Sequence, residues 1–240
     1  MLEVKNISFS VTTEEGTKEI LKNVSFTIDE PFTVITGPNG GGKSTMAKII
    51  AGIYTPDSGQ ILLDGQDITG LSITERARLG VGFAFQAPVK FKGITVMDLL
   101  QIAAEKKLSI SEACSYLASV GLCARDYINR EVNASLSGGE LKRIEIATVL
   151  ARGTTLSIFD EPEAGIDLWS FTSLITVFEN MRAKHGGSVI IISHQERILA
   201  IADKIIVLSG GTLEKIGKKD DVLPGLIPKD SVCSVLLDNA

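Results

Sequence analysis

The sequence predicts an α/β fold with a mostly parallel core sheet and helices on both faces. Apolar stretches at 156–159, 189–192 and 205–208 alternate with helical patterns in the second half of the chain. Strands without a polar side are buried on both faces, and parallel strands require crossover connections such as helices. Near the N-terminus, the apolar stretch 32–35 leads through a glycine-rich loop into a helical pattern at 46–51, which repeats the same strand-to-helix order.

The composition excludes several classes of protein. A chain of 240 residues with 44% hydrophobic content predicts one large domain, and its net charge of -5 gives no basic surface for nucleic acid. It contains no run of about 18 apolar residues that could enter a membrane and no signal-peptide pattern. Cys114, Cys123 and Cys233 form no C-x-x-C pair, so they predict neither a disulfide framework nor a complete metal site. We therefore expect a cytoplasmic protein.

The segments around the glycine-rich loop predict an antiparallel β layer. Residues 2–9 and 21–28 alternate between apolar and polar side chains, as half-buried strands do. The residues between them, 12–18, are rich in turn formers, and we expect a turn there. A further short strand at 60–63 ends at an Asp-Gly pair, which is typical of a hairpin turn.

The middle of the chain predicts an inserted helical subdomain. Helical periodicity indicates this subdomain at 93–135, between core segments 1–92 and 136–217. Serine followed three residues later by glutamate predicts helix starts at positions 72 and 109. The last residues, 218–240, are weakly patterned and predict a C-terminal extension.

The glycine-rich loop fits the P-loop pattern G-x-x-x-x-G-K-[ST] at every fixed position. Glycines leave backbone N–H groups free to surround a phosphate, and the following helix adds the positive end of its dipole. Lys43 adds a charge, and the Ser44 hydroxyl is suited to bind Mg²⁺. An ordinary turn needs neither residue, so the loop predicts a nucleoside triphosphate site. Its residues are Gly37, Pro38, Asn39, Gly40, Gly41, Gly42, Lys43, Ser44 and Thr45.

A carboxylate pair, Asp160 and Glu161, follows the apolar stretch 156–159. Adjacent residues at a strand end point in different directions, so Asp160 can face Mg²⁺ while Glu161 faces a water in line with the γ-phosphate. A solvated acidic turn is the alternative. The buried strand before the pair and the P-loop in the same chain favour the catalytic interpretation.

Taken together, these motifs resemble those of the ATP-binding cassette (ABC) ATPases, a type of P-loop NTPase, over nearly the whole chain. The resemblance implies ATP hydrolysis with ATP and Mg²⁺ as ligands. It also implies a dimer, in which the P-loop of one copy meets Ser137, Gly138 and Gly139 of a second copy. The motifs that appear in the family's order and spacing are 37–45, Gln86, 136–140, 160–162, 164–167 and His194.

The segment that begins at Ser137 has a structural alternative. Ser137 and Glu140 have the spacing of a capping box, which needs no ligand. The two interpretations are compatible, because an exposed helix N-terminus behind two glycines is also a phosphate-binding surface.

The resemblance implies roles for single residues as well. Gln86 would be a ligand of Mg²⁺ and of the attacking water, and His194 would hold the γ-phosphate and that water in line. His185 lies in a polar turn and is assigned no role. Val11 stands near the place where many family members carry an aromatic residue that stacks on adenine, which leaves stacking to another ring such as Phe9.

Several segments resemble the SufC-type ATPases of iron-sulfur cluster assembly within this family. The resemblance implies that a lysine in the helix after Ser137 can pair with the catalytic glutamate in the resting state. Lys142 matches this lysine and Glu161 the glutamate; the alternative is an ordinary exposed lysine. The segments that carry the resemblance are 83–89, 137–143, 165–167, 194–199 and Val11.

Two kinds of partner remain open. On the SufC-type interpretation, ATP-driven closure reshapes a scaffold protein whose own cysteines hold iron and sulfur. On the alternative, the chain is the ATP-binding subunit of a membrane transporter. In both cases we expect the partner to dock along 87–96, where Val89, Phe91 and Ile94 are suited to anchor a helix.

Overall fold

The structure, a computed structural model, describes residues 1–14, 16–133, 135–166, 168–184 and 187–226. Within this part of the chain, no helix combines the length and the apolar character that crossing a membrane requires. The predicted features that lie outside the described residues are Asp167, His185, Cys233 and residues 227–240.

The described residues contain two sheets. One is four-stranded and antiparallel, in the order β2-β1-β4-β5. The other has the order β10-β9-β3-β8-β7-β6 and is parallel except for β10. In chain order the strands are β1 (Leu2–Thr13), β2 (Gly16–Ile28), β3 (Phe32–Thr36), β4 (Ser58–Leu63), β5 (Gln66–Asp67), β6 (Val81–Ala84), β7 (Leu156–Asp160), β8 (Ser188–Ile192), β9 (Lys204–Ser209) and β10 (Thr212–Lys218).

Helices lie on both faces of the six-stranded sheet, as predicted. The predicted capping boxes are present, since the N–H groups of Glu75 and Glu112 donate to the hydroxyls of Ser72 and Ser109. A short 3-10 helix, Leu223–Gly225, follows the last α-helix. The α-helices are α1 (Lys43–Ile50), α2 (Ile73–Arg78), α3 (Val96–Ala104), α4 (Ile110–Ser119), α5 (Ala124–Tyr127), α6 (Gly138–Arg152), α7 (Leu168–Lys184), α8 (Glu196–Ala200) and α9 (Lys219–Val222).

Alternate residues of the parallel strands build two hydrophobic cores. Ile191 and Phe159 belong to the core that includes residues of α3, α4, α6 and α7. Their strand neighbours Ile190, Ile192 and Ile158 belong to the core shared with α1 and the antiparallel sheet. Side chains alternate between the faces of a strand, so a strand covered on both faces must be apolar throughout. This explains why these strands show no polar side in the sequence.

The first hairpin is longer than predicted, and one strand was missed. The strands β1 and β2 extend into the turn expected at 12–18 and pair as far as Thr13 and Gly16, with Val11 opposite Lys18 and Thr12 opposite Thr17. The side chains at this end of the hairpin are exposed, so main-chain hydrogen bonds hold the two strands together and the sequence shows no apolar alternation. The edge strand β10 at Thr212–Lys218 was missed for the same reason, because most of its residues are exposed.

Candidate nucleotide-binding site

The predicted catalytic residues meet at one edge of the parallel sheet. The P-loop follows β3, and Asp160 and Glu161 stand at the end of β7 and directly after it. Gln86 comes two residues after β6 and His194 two residues after β8. The carboxyl ends of parallel strands share one edge, which is where α/β sheets bind their ligands.

Close packing against β9 defines the shape of the P-loop. A Cβ on Gly37 would lie 2.0 Å from the main-chain oxygen of Leu208, and one on Gly41 would lie 2.7 Å from it. Gly37 also has φ of 134°, which side chains disfavour. Pro38, Asn39 and Gly40 form the exposed tip of the loop. Only glycines allow the loop to lie this close to β9, and its backbone can therefore form a cradle of the kind that binds phosphates.

Lys43 lies across this cradle. Its ammonium donates to the main-chain oxygens of Gly37 at 2.8 Å and Pro38 at 2.9 Å. Burial lowers the pKa of Lys43, and the nearby carboxylates of Glu161 and Asp160 oppose that shift. A buried ammonium at the mouth of a glycine loop fits the negatively charged phosphate chain of a nucleoside triphosphate.

Ser44 and Asp160 are in direct contact. Ser44 Oγ donates to Asp160 Oδ1 at 2.8 Å, and Asp160 is only 1% exposed. Burial raises the pKa of Asp160, while the hydrogen bond from Ser44 opposes the change. A hydroxyl oxygen and a carboxylate oxygen are suitable ligands for Mg²⁺, so this pair fits the predicted metal site.

Glu161 has a different partner. Gln86 Nε2 donates to Glu161 Oε2 at 2.6 Å, which joins the residue after β7 to the segment after β6. Glu161 has φ of 44°, a left-handed conformation that non-glycine residues rarely adopt, and its N–H donates to Ile192 O. The two neighbouring carboxylates therefore contact separate groups, Asp160 the P-loop helix and Glu161 the Gln86 amide.

Lys142 does not make the ion pair that the resemblance implied. Its side chain is 0% exposed, and its Nζ donates to Phe85 O and lies 3.2 Å from Glu145 Oε2. Glu161 is contacted by Gln86 instead. Glu145 lies one turn along the same helix, so it offers Lys142 a nearer carboxylate. The alternative of an exposed lysine is also wrong.

The loop of His194 is held by a carboxylate that the sequence analysis missed. His194 is exposed, but Ser193 before it is fully buried and donates its hydroxyl to Glu163. The N–H of Gln195 donates in turn to Ser193 Oγ at 3.0 Å. Burial raises the pKa of Glu163, and the bond from Ser193 opposes this. The segment after Glu161 is thus bound to the His194 loop. In the sequence, the only sign of this contact was a second acidic residue, Glu163, two positions after Glu161.

The N-terminus of α6 is capped and exposed. Glu140 N–H donates to Ser137 Oγ at 3.3 Å, and Ser137 N–H donates to Glu140 Oε2 at 2.6 Å, which completes the capping box. Ser137 and Gly138 are exposed, and apart from the adjoining residues and the backbone of α6 itself no described atom lies within 4 Å of a Cβ built on Gly138. This end of a 15-residue helix therefore faces open space in a single copy.

Glu140 makes the α6 cap sensitive to acid. A hydrogen bond from the Tyr127 hydroxyl, followed by the bond from Ser137 N–H, lowers the pKa of Glu140 from 4.5 to about 2. The pKa of Glu140 is lower in the folded chain than in the unfolded chain, so the ionised carboxylate stabilises the fold. This contribution to stability is complete above pH 4.5 and is lost as the pH falls toward 2. We expect Glu140→Gln to lower the free energy of unfolding by about 1–2 kcal/mol at pH 7.

Urea denaturation between pH 7 and pH 3 checks this expectation. The difference between wild type and Glu140→Gln should shrink as the pH falls, because the wild type loses the carboxylate contribution. Glu19→Gln, at an exposed position of β2, serves as the control. A difference that stays constant over the whole pH range would contradict the assignment.

A groove borders the Gln86 segment. Its volume is about 170 Å³, and two of the three residues proposed as partner anchors, Val89 and Phe91, line it. Ile94 does not line the groove; its main-chain oxygen accepts from Val132 N–H instead. The other residues that line it are Phe83, Phe85, Leu99, Val132, Leu141, Ile144, Glu145, Thr148 and Val149.

Phe9, the ring suggested to stack on adenine in place of Val11, is itself part of a stacked aromatic pair. Val11 is exposed on β1, and the Phe9 ring stacks on Tyr54 with centroids 5.3 Å apart and planes inclined by 8°. Lys48 Nζ lies 5.6 Å from the centroid of the Tyr54 ring. One face of Phe9 is therefore covered. Tyr54 was not found from sequence because it is distant from Phe9 along the chain.

Comparisons with known proteins identify the family of this chain. The family model for ABC transporters matches residues 21–164. The chain is 39% identical over 216 residues to the uncharacterized ABC transporter ATP-binding protein MJ0035 of Methanocaldococcus jannaschii, covering 86% of each chain. It is 34% identical over 223 residues to the energy-coupling factor transporter ATP-binding protein EcfA1 of Streptococcus thermophilus, covering 90% of this chain and 79% of that protein.

A solved structure has the same fold. It is the dimeric, post-hydrolysis state of the ATP-binding cassette MJ0796 bound to ADP and Pi, with a TM-score of 0.82 at 27% identity. The match covers 91% of this chain and 99% of that one. None of these three descriptions names iron-sulfur cluster assembly. Since the family match spans more than half of the sequence and relatives reach 39% identity, this chain belongs to the ABC transporter family, as one of its ATP-hydrolysing cassettes.

Proposed function

We propose that this chain is the ATP-hydrolysing subunit of a membrane transporter, active as a pair of copies and docked to a membrane-spanning partner through the groove. The observation that carries the proposal is the position of this groove. Phe85, which lines it, directly precedes Gln86, and Gln86 donates to Glu161. A partner that moves the groove therefore moves Phe85, and only Gln86 lies between Phe85 and the carboxylate of Glu161. Transporter ATP-binding proteins among the relatives support the same partner class.

Each residue at the sheet edge has a proposed role. Residues 37–45 hold the phosphates of ATP, and Ser44, Asp160 and Gln86 provide oxygen ligands for Mg²⁺. When bound there, Mg²⁺ supplies positive charge to the phosphate oxygens. Glu161 accepts the proton of the attacking water, and His194 donates a hydrogen bond that keeps the γ-phosphate in place.

The second copy supplies what one chain lacks. Ser137 and Gly138 are too exposed to serve the P-loop of their own chain, yet they begin a helix whose free N–H groups suit a phosphate. Two copies arranged head to tail place this helix end on the γ-phosphate bound by the other copy. The dimeric structures of the similar cassette MJ0796 support an assembly of two copies.

The second candidate partner is a scaffold protein of iron-sulfur cluster assembly. The observation that favours it is the sequence resemblance of 83–89 and 137–143 to the SufC-type ATPases, although Lys142 does not pair with Glu161 as that resemblance implied. No group of three His, Cys, Asp or Glu side chains suited to a metal ion occurs among the described residues. On this candidate the cysteines of the partner hold the cluster.

Copurification from native cells tests the choice of partner. A companion chain with several hydrophobic spans, recovered with mild detergent from the membrane fraction, is the expected result. A soluble companion that contains iron would instead support the scaffold and contradict the transporter.

A groove variant tests where this partner docks. We expect Val89→Asp to reduce copurification at least about tenfold, because it places a charge in an apolar contact surface. Ile73→Asp is the matched control, since Ile73 is an exposed aliphatic residue on α2, outside the groove. Undiminished recovery with Val89→Asp would contradict docking in the groove.

A further inference from the structure

The main chain at Phe85 is held on both sides by one ion pair. Phe85 N–H donates to Glu145 Oε1 at 2.8 Å, and Phe85 O accepts from Lys142 Nζ. Lys142 and Glu145 lie three residues apart on α6, and Lys142 Nζ is 3.2 Å from the second oxygen of Glu145. Both hydrogen-bonding groups of a single residue are therefore bound to two side chains of one helix, an arrangement we call the Phe85 clamp.

The clamp begins where the sheet ends. Pairing of β6 with β7 stops at Ala84 and Phe159, so Phe85 has no ladder partner. A main-chain segment that leaves a sheet needs other partners for its polar groups. The clamp provides them from a helix and fixes the direction in which the chain leaves the sheet.

Stability alone is a poor explanation for this pair. Lys142 is 0% exposed and the Glu145 side chain is 16% exposed, so both charges have lost most of their water. Removing charges from water costs about as much as their attraction returns, and apolar replacements of such pairs are often as stable. Burial also raises the pKa of Glu145, which reflects this cost. A geometric role accounts for the pair better.

Gln86, the residue after the clamp, reaches the catalytic carboxylate. Its side-chain nitrogen donates to Glu161 Oε2 at 2.6 Å, although the residue itself is exposed. Whether this side chain reaches Glu161 depends on where the main chain places residue 86. We infer that Lys142 and Glu145 are positioning residues, which hold the main chain at Phe85 so that Gln86 lies against Glu161.

The test measures basal ATP hydrolysis by the purified chain, in the absence of a membrane or scaffold protein. It is therefore independent of the choice between those two partners. We expect Lys142→Met, which keeps the length of the side chain but donates nothing, to lower kcat about tenfold. The KM for ATP should stay within about twofold, since the P-loop is not in contact with the clamp. Lys142→Gln can still donate to Phe85 O and should recover part of kcat.

The matched control is a second lysine–glutamate pair. Lys106 Nζ lies 2.9 Å from Glu112 Oε1, and both side chains are well exposed. Lys106→Met should leave kcat unchanged. Thermal unfolding of each variant shows that it is folded, and if Lys142→Met does not fold, Glu145→Gln replaces it, with an expected loss of about threefold in kcat.

A double-mutant cycle with Gln86→Ala separates positioning from a general structural effect. If Lys142 acts through Gln86, adding Lys142→Met to Gln86→Ala lowers kcat no further than Gln86→Ala alone. If the loss of kcat in the double variant equals the product of the losses in the two single variants, the inference is overturned. An unchanged kcat in a folded Lys142→Met or Glu145→Gln variant would overturn it as well.

Discussion

The Glu161→Gln variant is expected to bind ATP as tightly as the wild type and to lose turnover by about 10²- to 10⁴-fold. The amide has the shape of the carboxylate and can still accept the hydrogen bond from Gln86, which is 2.6 Å long in the wild type. It cannot take a proton from water. Steady-state ATP hydrolysis and equilibrium binding of a fluorescent ATP analogue measure the two properties separately.

Glu163→Gln is the matched control for this loss. Glu163 is a neighbouring carboxylate on the same segment and accepts from the Ser193 hydroxyl, which an amide oxygen can also do. We expect it to retain turnover within about threefold. If Glu161→Gln kept more than about a tenth of wild-type turnover, Glu161 would not be the base, because proton transfer of this kind is worth at least about 10²-fold.

The Gly138→Asp variant is expected to bind ATP normally and to lose at least about 100-fold in hydrolysis. Apart from the adjoining residues and the backbone of α6, no described atom of its own chain lies within 4 Å of a Cβ at this position, and an acidic residue at a helix N-terminus is favourable for the helix. The chain should therefore fold well. The new carboxylate would, however, repel the γ-phosphate that the other copy presents to this helix end.

Gly70→Asp provides the comparison for this variant. Gly70 also has open space around its Cβ position and an ordinary backbone conformation, but it lies outside the proposed interface. Equal hydrolysis by both aspartate variants and the wild type would contradict a role of the α6 N-terminus in the reaction centre. Binding of ATP by Gly138→Asp, measured without hydrolysis, shows that its own P-loop is intact.

Local sequence patterns predicted the frame of the site well. The P-loop, the carboxylate pair after β7 and the cap of α6 are each made by residues within a few positions of one another. Their spacing alone encodes how they are arranged. The order of the parallel strands and their helices could also be predicted, because a strand buried on both faces appears in the sequence as a continuous apolar run.

Contacts between distant segments could not be predicted in this way. Arg76 is 1% exposed, and its guanidinium donates to four main-chain oxygens, those of Ile49, Ile50, Thr69 and Leu71. In sequence it is one arginine in a short polar helix, where exposure is expected. Only the fold brings the end of α1 against it.

Lys142 is an intermediate case. The resemblance placed it near Glu161, the proposed catalytic base, but assigned it the wrong partner. The spacing of Lys142 and Glu145 on one helix face was visible in the sequence and favours an ion pair. The contact of both residues with Phe85 depends on how α6 packs against the end of β6, which no local pattern encodes.

The most direct test of the two-copy reaction centre is the mass of the ATP-loaded particle. One chain has a mass of 25.6 kDa, and sedimentation of Glu161→Gln with ATP should give a particle of twice that mass. The same variant carrying Gly138→Asp as well should sediment as a single chain. A single-chain mass for ATP-saturated Glu161→Gln, under conditions in which the wild type hydrolyses ATP, would contradict the account.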